Sequence, residues 1–372
     1  MATSYPNPRP SVPGTVRITD PGDLIASVPA LLGFRPGRSL VLICLGFAAD
    51  AVPGAAPCTV RAVLRSDLPE TACGPFDLEP LRRVAQACER ERIESVTAVF
   101  VDPDDSACAR LMHENLLDEL RECLDGYGVE LEDVYELAAL TAGETWRGLR
   151  GAGSRGVLPD PGATQVAAAR VLAGRVMHGS REELEAHVRP AGGTDRGAMT
   201  ELLTQARARA AGGSAGRDAG ARDRELVERV LVAVARNDSG DEHTADELVE
   251  IALALAVPRV RDCLLGLTLT DEADAAERMW LLLARTLPPP DCAQAATMYG
   301  FSVYCRGEGP MAGIALVAAL EADPRHRLAG LLDRALQRAV HPDVVADLAA
   351  TGLELAAGIG VAMPPVSGSC AR

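Results

Sequence analysis

Residues 39–47 read S-L-V-L-I-C-L-G-F, a run that is apolar at almost every position and rich in β-forming residues. Such a run predicts a strand that is buried on both of its faces. The next apolar run, C-T-V-R-A-V-L-R at 58–65, alternates between apolar and polar residues, which predicts a strand with one solvent-facing side. These two strands favour a sheet inside a layered domain.

The segments around these strands alternate between helix and strand signals. Asp20-Pro21-Gly22-Asp23 supplies an N-cap and an early proline for a helix through Leu31 or Leu32, which Gly33 ends. Strands are predicted at 16–19, 95–101 and 129–137, and helices at 77–92 and 106–124. This alternation predicts an α/β domain with a mixed sheet over residues 16–148.

After residue 165 the strand signals disappear and alanine-rich helical periodicity replaces them. Ser180-x-x-Glu183 and Thr244-x-x-Glu247 have the spacing of capping boxes, which mark helix beginnings. Eight further helices are predicted at 221–236, 245–256, 259–269, 272–287, 291–305, 310–322, 325–339 and 343–357. The predicted fold class is therefore α+β or α/β, with an N-terminal mixed-sheet domain followed by an all-helical C-terminal domain at 220–358.

The remaining segments are expected to connect or flank these two domains. We expect residues 1–15 to form a disordered tail, because they contain several prolines and few large apolar residues. We expect residues 359–372 to form a second tail. Residues 149–164 predict a loop, 165–210 a helical connection and 211–219 a flexible linker. The loop contains G-x-G-x-x-G at 151–156, but prolines follow where a dinucleotide-binding helix would begin, which favours a plain loop.

The composition excludes several classes of function. The chain has 37 basic and 52 acidic side chains, a net charge of −15 and no lysine. A Walker A lysine and a Schiff-base lysine are therefore excluded. The acidic balance disfavours nucleic acids and anionic membranes as partners. We expect a cytoplasmic protein, since the start lacks the apolar core of a signal peptide and no apolar run approaches the ~20 residues of a membrane span.

The cysteines and histidines show no spacing typical of a metal site. Among ten cysteines there is no C-x-x-C, and the six histidines do not cluster. H-E-x-x-H and G-x-S-x-G, the starting points for zinc and serine hydrolases, are also absent from the sequence. We expect the cysteines to be reduced, small buried residues, and we expect no metal and no cofactor.

Two polar stretches beside predicted strands supply the candidate ligand-binding or partner-binding residues. Carboxylates that follow a strand are placed to hold Mg²⁺ or to act as a base, but they also cap the next helix. An aromatic and arginine pair is suited to an anionic ligand, although a Gly-Phe-Arg-Pro turn is also a rigid connection. The candidates are Phe34, Arg35, Ser39, Asp102 and Asp104.

A period of 34 residues runs through the late part of the chain. It relates Gly266 to Gly300, Leu282 to Leu316, and Pro290 to Pro324. With Ala312 and Ala319 at small-residue positions, the segment 293–326 resembles one tetratricopeptide repeat. Ala296 stands where that repeat has tryptophan, and Arg278 and Arg285 stand where the preceding unit needs small residues. A plain helical hairpin and a true repeat therefore remain equal alternatives.

Three ordered stretches resemble an actinobacterial family known as domain of unknown function 4192. They lie at 16–45, with V-P-A-L-L-G-F-R-P at 28–36 as its core, at 171–184 (V-L-A-G-R-V-M-H-G-S-R-E-E-L) and at 306–332. The family tends to have a tryptophan-rich strand followed by a loop with paired cysteines. Here that region has Trp146 and no cysteine, so no metal or redox role carries over. The resemblance implies a fold layout and an actinobacterial source, and it supplies no activity.

Two functional hypotheses follow from these observations. The leading one is a protein-interaction or regulatory module that acts on a protein partner through its helical C-terminal half. The alternative is a ligand-binding protein or enzyme that uses the sheet edge near Asp102 and the Phe34-Arg35 turn.

Overall fold

The computed structural model describes residues 3–6, 16, 18–46, 59–69, 85, 93–150, 153–190, 196–212, 218–239 and 242–367. The chain divides into two compact units. The first comprises Met1–Leu184, Gly307–Pro310 and Ala335–His341. The second comprises Glu185–Arg306, Met311–Arg334 and Pro342–Arg372.

A seven-stranded mixed sheet forms the centre of the first unit. Its strands are β1 (Thr3–Pro6), β2 (Ser39–Gly46), β3 (Thr59–Asp67), β4 (Ser95–Val101), β5 (Glu130–Leu137), β6 (Thr145–Gly148) and β7 (Arg155–Val157). The spatial order is β1-β3-β2-β4-β5-β6-β7. β4 and β5 run parallel, and the other neighbouring strands pair antiparallel. The predicted mixed sheet is confirmed, and its apolar runs form the buried strands β2 and β4.

Helices cover both faces of the sheet. Helix α2 (Ala107–Asp125) connects β4 to β5, and its apolar side packs on alternate strand residues, which include Leu40, Leu42 and Phe100. Because side chains alternate along a strand, Tyr135 of β5 points to the opposite face. There Trp146 packs edge-on against Tyr135, beside helix α1 (Pro21–Leu32). As predicted, Asp20 caps α1 and Gly33 ends it with a φ of 84°.

The rest of the chain is helical. The helices are α3 (Gln165–Leu172), α4 (Arg181–Val188), α5 (Arg196–Gly212), α6 (Ala219–Asp238), α7 (Ala245–Leu255), α8 (Pro258–Leu265), α9 (Ala273–Thr286), α10 (Cys292–Cys305), α11 (Gly309–Ala322), α12 (Arg327–Gln337) and α13 (Pro342–Gly358). Short 3-10 helices lie at Pro161–Ala163 and Gly266–Leu269. Within the described part of 220–358 no strand is assigned, which confirms the helical prediction.

The chain before α1 differs from its prediction in two ways. Within the predicted tail, Thr3–Pro6 forms strand β1, which pairs with β3 from Arg65 to Ala62. A proline is tolerated there because an edge strand leaves some backbone N–H groups outside the ladder. The strand predicted at 16–19 does not form at its described residues, 16, 18 and 19.

The loop predicted at 149–164 contains strand β7 and a short 3-10 helix. A Cβ atom added to Gly156 would lie 2.7 Å from the ring of Trp146, so the last glycine of the G-x-G-x-x-G pattern makes room for an indole ring. Glycine in a strand often marks such a close approach. This part of the pattern therefore serves packing between β6 and β7.

The boundary between the units also lies elsewhere than predicted. Residues 165–184 belong to the first unit, because α3 packs on α1 and the chain after it bonds to the α1–β2 turn. The His178 backbone N–H donates to the Gly33 carbonyl at 2.9 Å, and the Arg35 N–H donates to the His178 carbonyl at 3.2 Å. The helix predicted at 77–92 lies outside the described residues except for Ala85, and 213–217 of the predicted linker lies outside them too.

Small residues close the helical hairpin formed by α10 and α11. A Cβ atom on Gly300 would lie 3.1 Å from Leu316, and Ala312 and Ala319 are fully buried. Such packing fits both a tetratricopeptide unit and a plain hairpin. The repeat therefore stays a prediction.

Candidate functional site at the end of the sheet

Polar residues in or next to strands β2 to β6 meet at one end of the sheet. Ser39 at the start of β2 pairs with Asp67 at the end of β3 and with Val101 at the end of β4. Val101 in turn pairs with Leu137 at the end of β5. Residues just beyond these positions therefore lie at the carboxyl end of the parallel strands, where ligands of open α/β sheets bind.

Asp102 is the centre of a charged network at this end. Its carboxylate is fully buried, and Oδ1 accepts from Arg38 Nε at 3.1 Å and from the Asp104 backbone N–H at 3.1 Å. Its Oδ2 lies 3.1 Å from Nε2 of His113. Asp102 thus has three polar partners, as a buried carboxylate requires.

His113 connects Asp102 to a second carboxylate. Its ring is stacked on Phe100 at a centroid distance of 4.2 Å, and its Nδ1 lies 3.5 Å from Oε1 of Glu136. Oε2 of Glu136 accepts from Arg147 at 2.9 Å from Nε and at 2.7 Å from Nη2. We call the chain Arg38–Asp102–His113–Glu136–Arg147 the His113 network.

Two carboxyl groups, one in the network and one beside it, have lowered pKa values. The His113 ring, and after it the Arg147 guanidinium, lower the pKa of Glu136 against the opposing effect of burial. Next to the network, where the Asp104 backbone N–H donates to Asp102, hydrogen bonds from Ser106 lower the pKa of the Asp104 side chain. Each carboxyl group of the network contacts a guanidinium group, Asp102 that of Arg38 and Glu136 that of Arg147.

The geometry leaves His113 no contact with solvent. The residue is 1% exposed, and both ring nitrogens face carboxylates. A general base needs a nitrogen that can reach the substrate proton, whereas both nitrogens here face carboxylates inside the network. The network instead ties α2 to β4, β5 and β6, and it fixes the part-exposed arginines Arg38 and Arg147.

A second polar cluster lies on the opposite face of the same sheet end. Arg65 of β3 is 5% exposed, and its Nε donates to Ser39 Oγ at 2.8 Å. Its Nη2 donates to Asp67, and its guanidinium lies over the Phe34 ring, 5.7 Å from the centroid. Nη1 is buried without a hydrogen-bond partner among the described residues.

The structure divides the predicted site residues between these two clusters. Phe34 and Ser39 meet at Arg65, and Asp102 and Asp104 belong to the His113 network. The Arg35 side chain is exposed and belongs to neither cluster. The five candidates therefore do not form one site, because neighbouring strand residues point to opposite faces.

Sequence reasoning missed Arg38, Arg65, His113, Glu136 and Arg147. One signal was available for Arg38: it directly precedes β2 while Asp102 directly follows β4, so antiparallel pairing places the two opposite each other. His113 falls on the apolar side of α2, between Met112 and Leu116. The polar partner of a histidine on the buried side of a helix cannot be predicted until the strands against which that helix packs are known.

The surroundings of two buried cysteines do not favour reactive thiols. Burial raises the pKa of the Cys263 and Cys292 thiols, which disfavours the reactive thiolate form. Within the described ranges, no group of three or more His, Cys, Asp or Glu side chains is arranged to hold a metal ion. Nor is any described helix long and apolar enough to cross a membrane.

Large apolar side chains are exposed on the helices. On α13 one stripe is buried, whereas Val344 and Leu348, one turn apart, are 59% and 43% exposed. We call Val344 and Leu348 the outer stripe of α13. In the first unit, Leu172 at the end of α3 is 80% exposed.

One comparison with known proteins relates the chain to a family. The family model described as "Domain of unknown function (DUF4192)" matches residues 21–343. No curated protein and no solved structure matches the chain.

Proposed function

The chain belongs to the DUF4192 family, a domain of unknown function, and from its geometry we propose that it is a cytoplasmic protein-interaction module that binds a protein partner through its helical C-terminal half. The family description supplies no activity. The support therefore comes from the surfaces and side-chain contacts of this chain.

The outer stripe of α13 carries the proposal. One face of α13 packs on α8 and the 3-10 helix that follows it, where Gly352 lies against the Asp262 carbonyl. Isolated exposed apolar residues are normal in proteins. Two large ones a turn apart, on a helix whose other face is already buried, are typical of a face that a partner covers.

An enzyme at the sheet end has less support. His113 is buried between two carboxylates, and the candidates Phe34 and Asp102 belong to clusters on opposite faces. Both arrangements are suited to stabilising the fold rather than to catalysing a reaction. The alternative hypothesis from the sequence therefore ranks second.

Affinity capture from the native host tests the proposal. Full-length protein should retain a stoichiometric partner, and the double variant Val344→Asp/Leu348→Asp should lose it, because two carboxylates cannot enter an apolar interface without a large desolvation cost. Thermal unfolding of the double variant should match the wild type, since both positions face solvent.

Two matched variants control this experiment. Ala350→Asp adds one carboxylate elsewhere on the exposed surface of α13, and Leu172→Asp alters an exposed apolar residue of the first unit. Both should retain the partner. Capture that survives Val344→Asp/Leu348→Asp, or that is lost with Leu172→Asp alone, would contradict a partner site on α13.

A further inference from the structure

Two arginines lie side by side where β6 and β7 form the edge of the sheet. Arg147 of β6 pairs in register with Arg155 of β7, and on its other side it pairs with Glu136 of β5. Directly paired residues point to the same face of a sheet, with Cβ atoms about 4.5–5.5 Å apart. The three side chains therefore form a row that extends the His113 network to the sheet edge. We call Arg147 and Arg155 the arginine pair.

Arg155 carries a positive charge that no neighbour in this row neutralises. Glu136 already accepts twice from Arg147 through Oε2, and its Oε1 faces His113. The Arg155 side chain is exposed and makes no hydrogen bond or ion pair with any residue that the structure describes. Like charges directly opposite each other on neighbouring strands are destabilising. An anion shared by the two guanidinium groups would remove this repulsion.

The sequence of the hairpin supplies no such anion. Residues 145–157 contain three arginines and no acidic residue, in a chain whose net charge is −15. A local excess of positive charge therefore lies on a protein that is acidic as a whole. This contrast favours a ligand as the source of the missing negative charge.

The His113 network holds Arg147 in place and leaves part of its guanidinium available. Nε and Nη2 donate to Glu136, whereas Nη1 donates to no described residue, and the side chain is 49% exposed. A binding group that is already oriented loses less conformational entropy when its ligand arrives. Arg147 therefore has the orientation and the free donor that a ligand-binding arginine needs.

The arginine pair is suited to a phosphate group. A guanidinium donates parallel N–H groups to two oxygens, so a carboxylate satisfies one arginine, whereas a terminal phosphate has three oxygens and up to two charges. Glu136 is the penultimate residue of β5, which places the pair near the carboxyl end of the parallel strands. Small ligands of open α/β sheets bind at that end.

We propose that the arginine pair binds the terminal phosphate group of a small phosphomonoester. The site lies within the first unit and is built from β6 and β7, so it is independent of the partner surface proposed on α13. It adds a small-molecule ligand to a protein whose proposed partner is another protein.

Titration of the full-length chain with inorganic phosphate tests the inference. NMR of isotope-labelled arginine follows the Nε–H of Arg147, which its hydrogen bond to Glu136 protects from exchange with water. Chloride keeps the ionic strength constant, because salt screens exposed charges. Phosphate should shift this signal along a saturable curve. In Arg155→Gln the affinity should fall about fivefold, as expected for the loss of one exposed charge contact.

Arg121→Gln is the matched control. Arg121 is a part-exposed arginine of the same unit that pairs with Asp118 on α2, and its replacement changes the net charge by the same amount. This variant should bind phosphate as the wild type does. Thermal unfolding without phosphate should give similar midpoints for both variants, since neither arginine is buried.

Two phosphate esters test the class of ligand. Methyl phosphate keeps three terminal oxygens and up to two charges, so it should bind as inorganic phosphate does. Dimethyl phosphate is a diester with two free oxygens and one charge, and it should bind at least about fivefold more weakly.

Three outcomes would overturn the inference. They are no saturable shift of the Arg147 signal up to about 50 mM phosphate, which corresponds to a negligible affinity, equal affinity of wild type and Arg155→Gln, and equal affinity for the two esters. Either of the first two would leave Arg155 as an edge charge that discourages pairing with another sheet. The third would show that the pair does not select a phosphomonoester.

Discussion

Asp102 accepts three hydrogen bonds with a carboxylate that has no solvent contact. Replacement by alanine leaves His113 without its closest polar partner and removes the acceptor for Arg38. Breaking a buried ion pair from one side costs several kcal/mol, and Arg38 is part-exposed, so we expect Asp102→Ala to lower the free energy of unfolding by about 3 kcal/mol. Urea unfolding measures this change.

Asp105 provides the control for Asp102. It lies three residues further along the same turn, and its side chain is exposed. We expect Asp105→Ala to change stability by less than about 0.5 kcal/mol, as exposed substitutions usually do. Similar losses for the two variants would show that the His113 network contributes little to the fold.

His326 gives the second unit a pH-dependent helix start. Its Nδ1 accepts the Ala329 backbone N–H at 3.2 Å at the beginning of α12, which leaves Nε2 to donate to Gln294 Oε1 at 3.0 Å. This tautomer follows from the hydrogen-bond pattern. Burial lowers the pKa of His326 below its ordinary value, because removal from water disfavours the charged ring.

The unfolded chain therefore binds a proton at His326 more readily than the folded chain does. The stabilisation is complete above the ordinary histidine pKa of about 6.5, and it is lost as the pH falls from there through the lowered folded-state pKa. We expect the free energy of unfolding to fall more steeply from pH 7 to pH 5 in the wild type than in His326→Asn, which keeps an N-cap acceptor. Parallel curves for the two proteins would exclude this role.

Gly352 sets how closely α13 approaches its neighbour. A Cβ atom at this position would lie 2.5 Å from the Asp262 carbonyl oxygen and 2.8 Å from the Gly266 backbone nitrogen. Backbone atoms cannot move aside as side-chain ends do. We expect Gly352→Ala to destabilise the second unit by about 2 kcal/mol or more, since overpacking shifts the helix. Denaturant unfolding measures this loss.

Gly358, at the end of the same helix, serves as the control. A Cβ atom there meets no other atom within 4 Å, and its φ is not positive. Gly358→Ala should therefore leave stability nearly unchanged. If both alanine variants are equally stable, the contact between α13 and Gly266 is looser than the structure indicates.

The elements were more predictable from the sequence than the site was. Thr244 and Glu247 form the capping box that their spacing predicts, and helix α7 begins there, because caps and apolar periods are local properties of the chain. Strand β7 was missed because its Gly156 packs against Trp146 of the neighbouring strand, and a contact between strands leaves no local signal in the sequence. The His113 network was missed for the same reason: its members come from two strands, two strand-flanking positions and a helix, and only pairing brings them together.

At the scale of the whole molecule, each unit contains one of the two tryptophans. Trp146 is buried in the first unit and Trp280 in the second. In a Trp280→Phe background, Asp102→Ala should lower the urea midpoint that Trp146 fluorescence reports. In a Trp146→Phe background, Gly352→Ala should lower the midpoint that Trp280 reports, while Asp102→Ala should shift it less.

This prediction depends on each unit having its own core. Each comparison is made within one tryptophan background, so the cost of the aromatic substitution cancels. Equal shifts at both tryptophans for both variants would mean that the chain unfolds as one cooperative body.

The first unit takes two short pieces from late in the chain, 307–310 and 335–341. One of them supplies Glu308, whose Oε1 lies 3.4 Å from Arg175 Nε and 3.9 Å from Arg170 Nη2, both largely buried arginines. During translation, residues 1–184 are synthesised well before these two pieces. The first unit is therefore incomplete while α5 to α10 are synthesised, and until then Arg170 and Arg175 lack the carboxylate of Glu308. For this protein the order of synthesis and the order of completion are different, because the first unit acquires its last pieces only after α5 to α10 have been made.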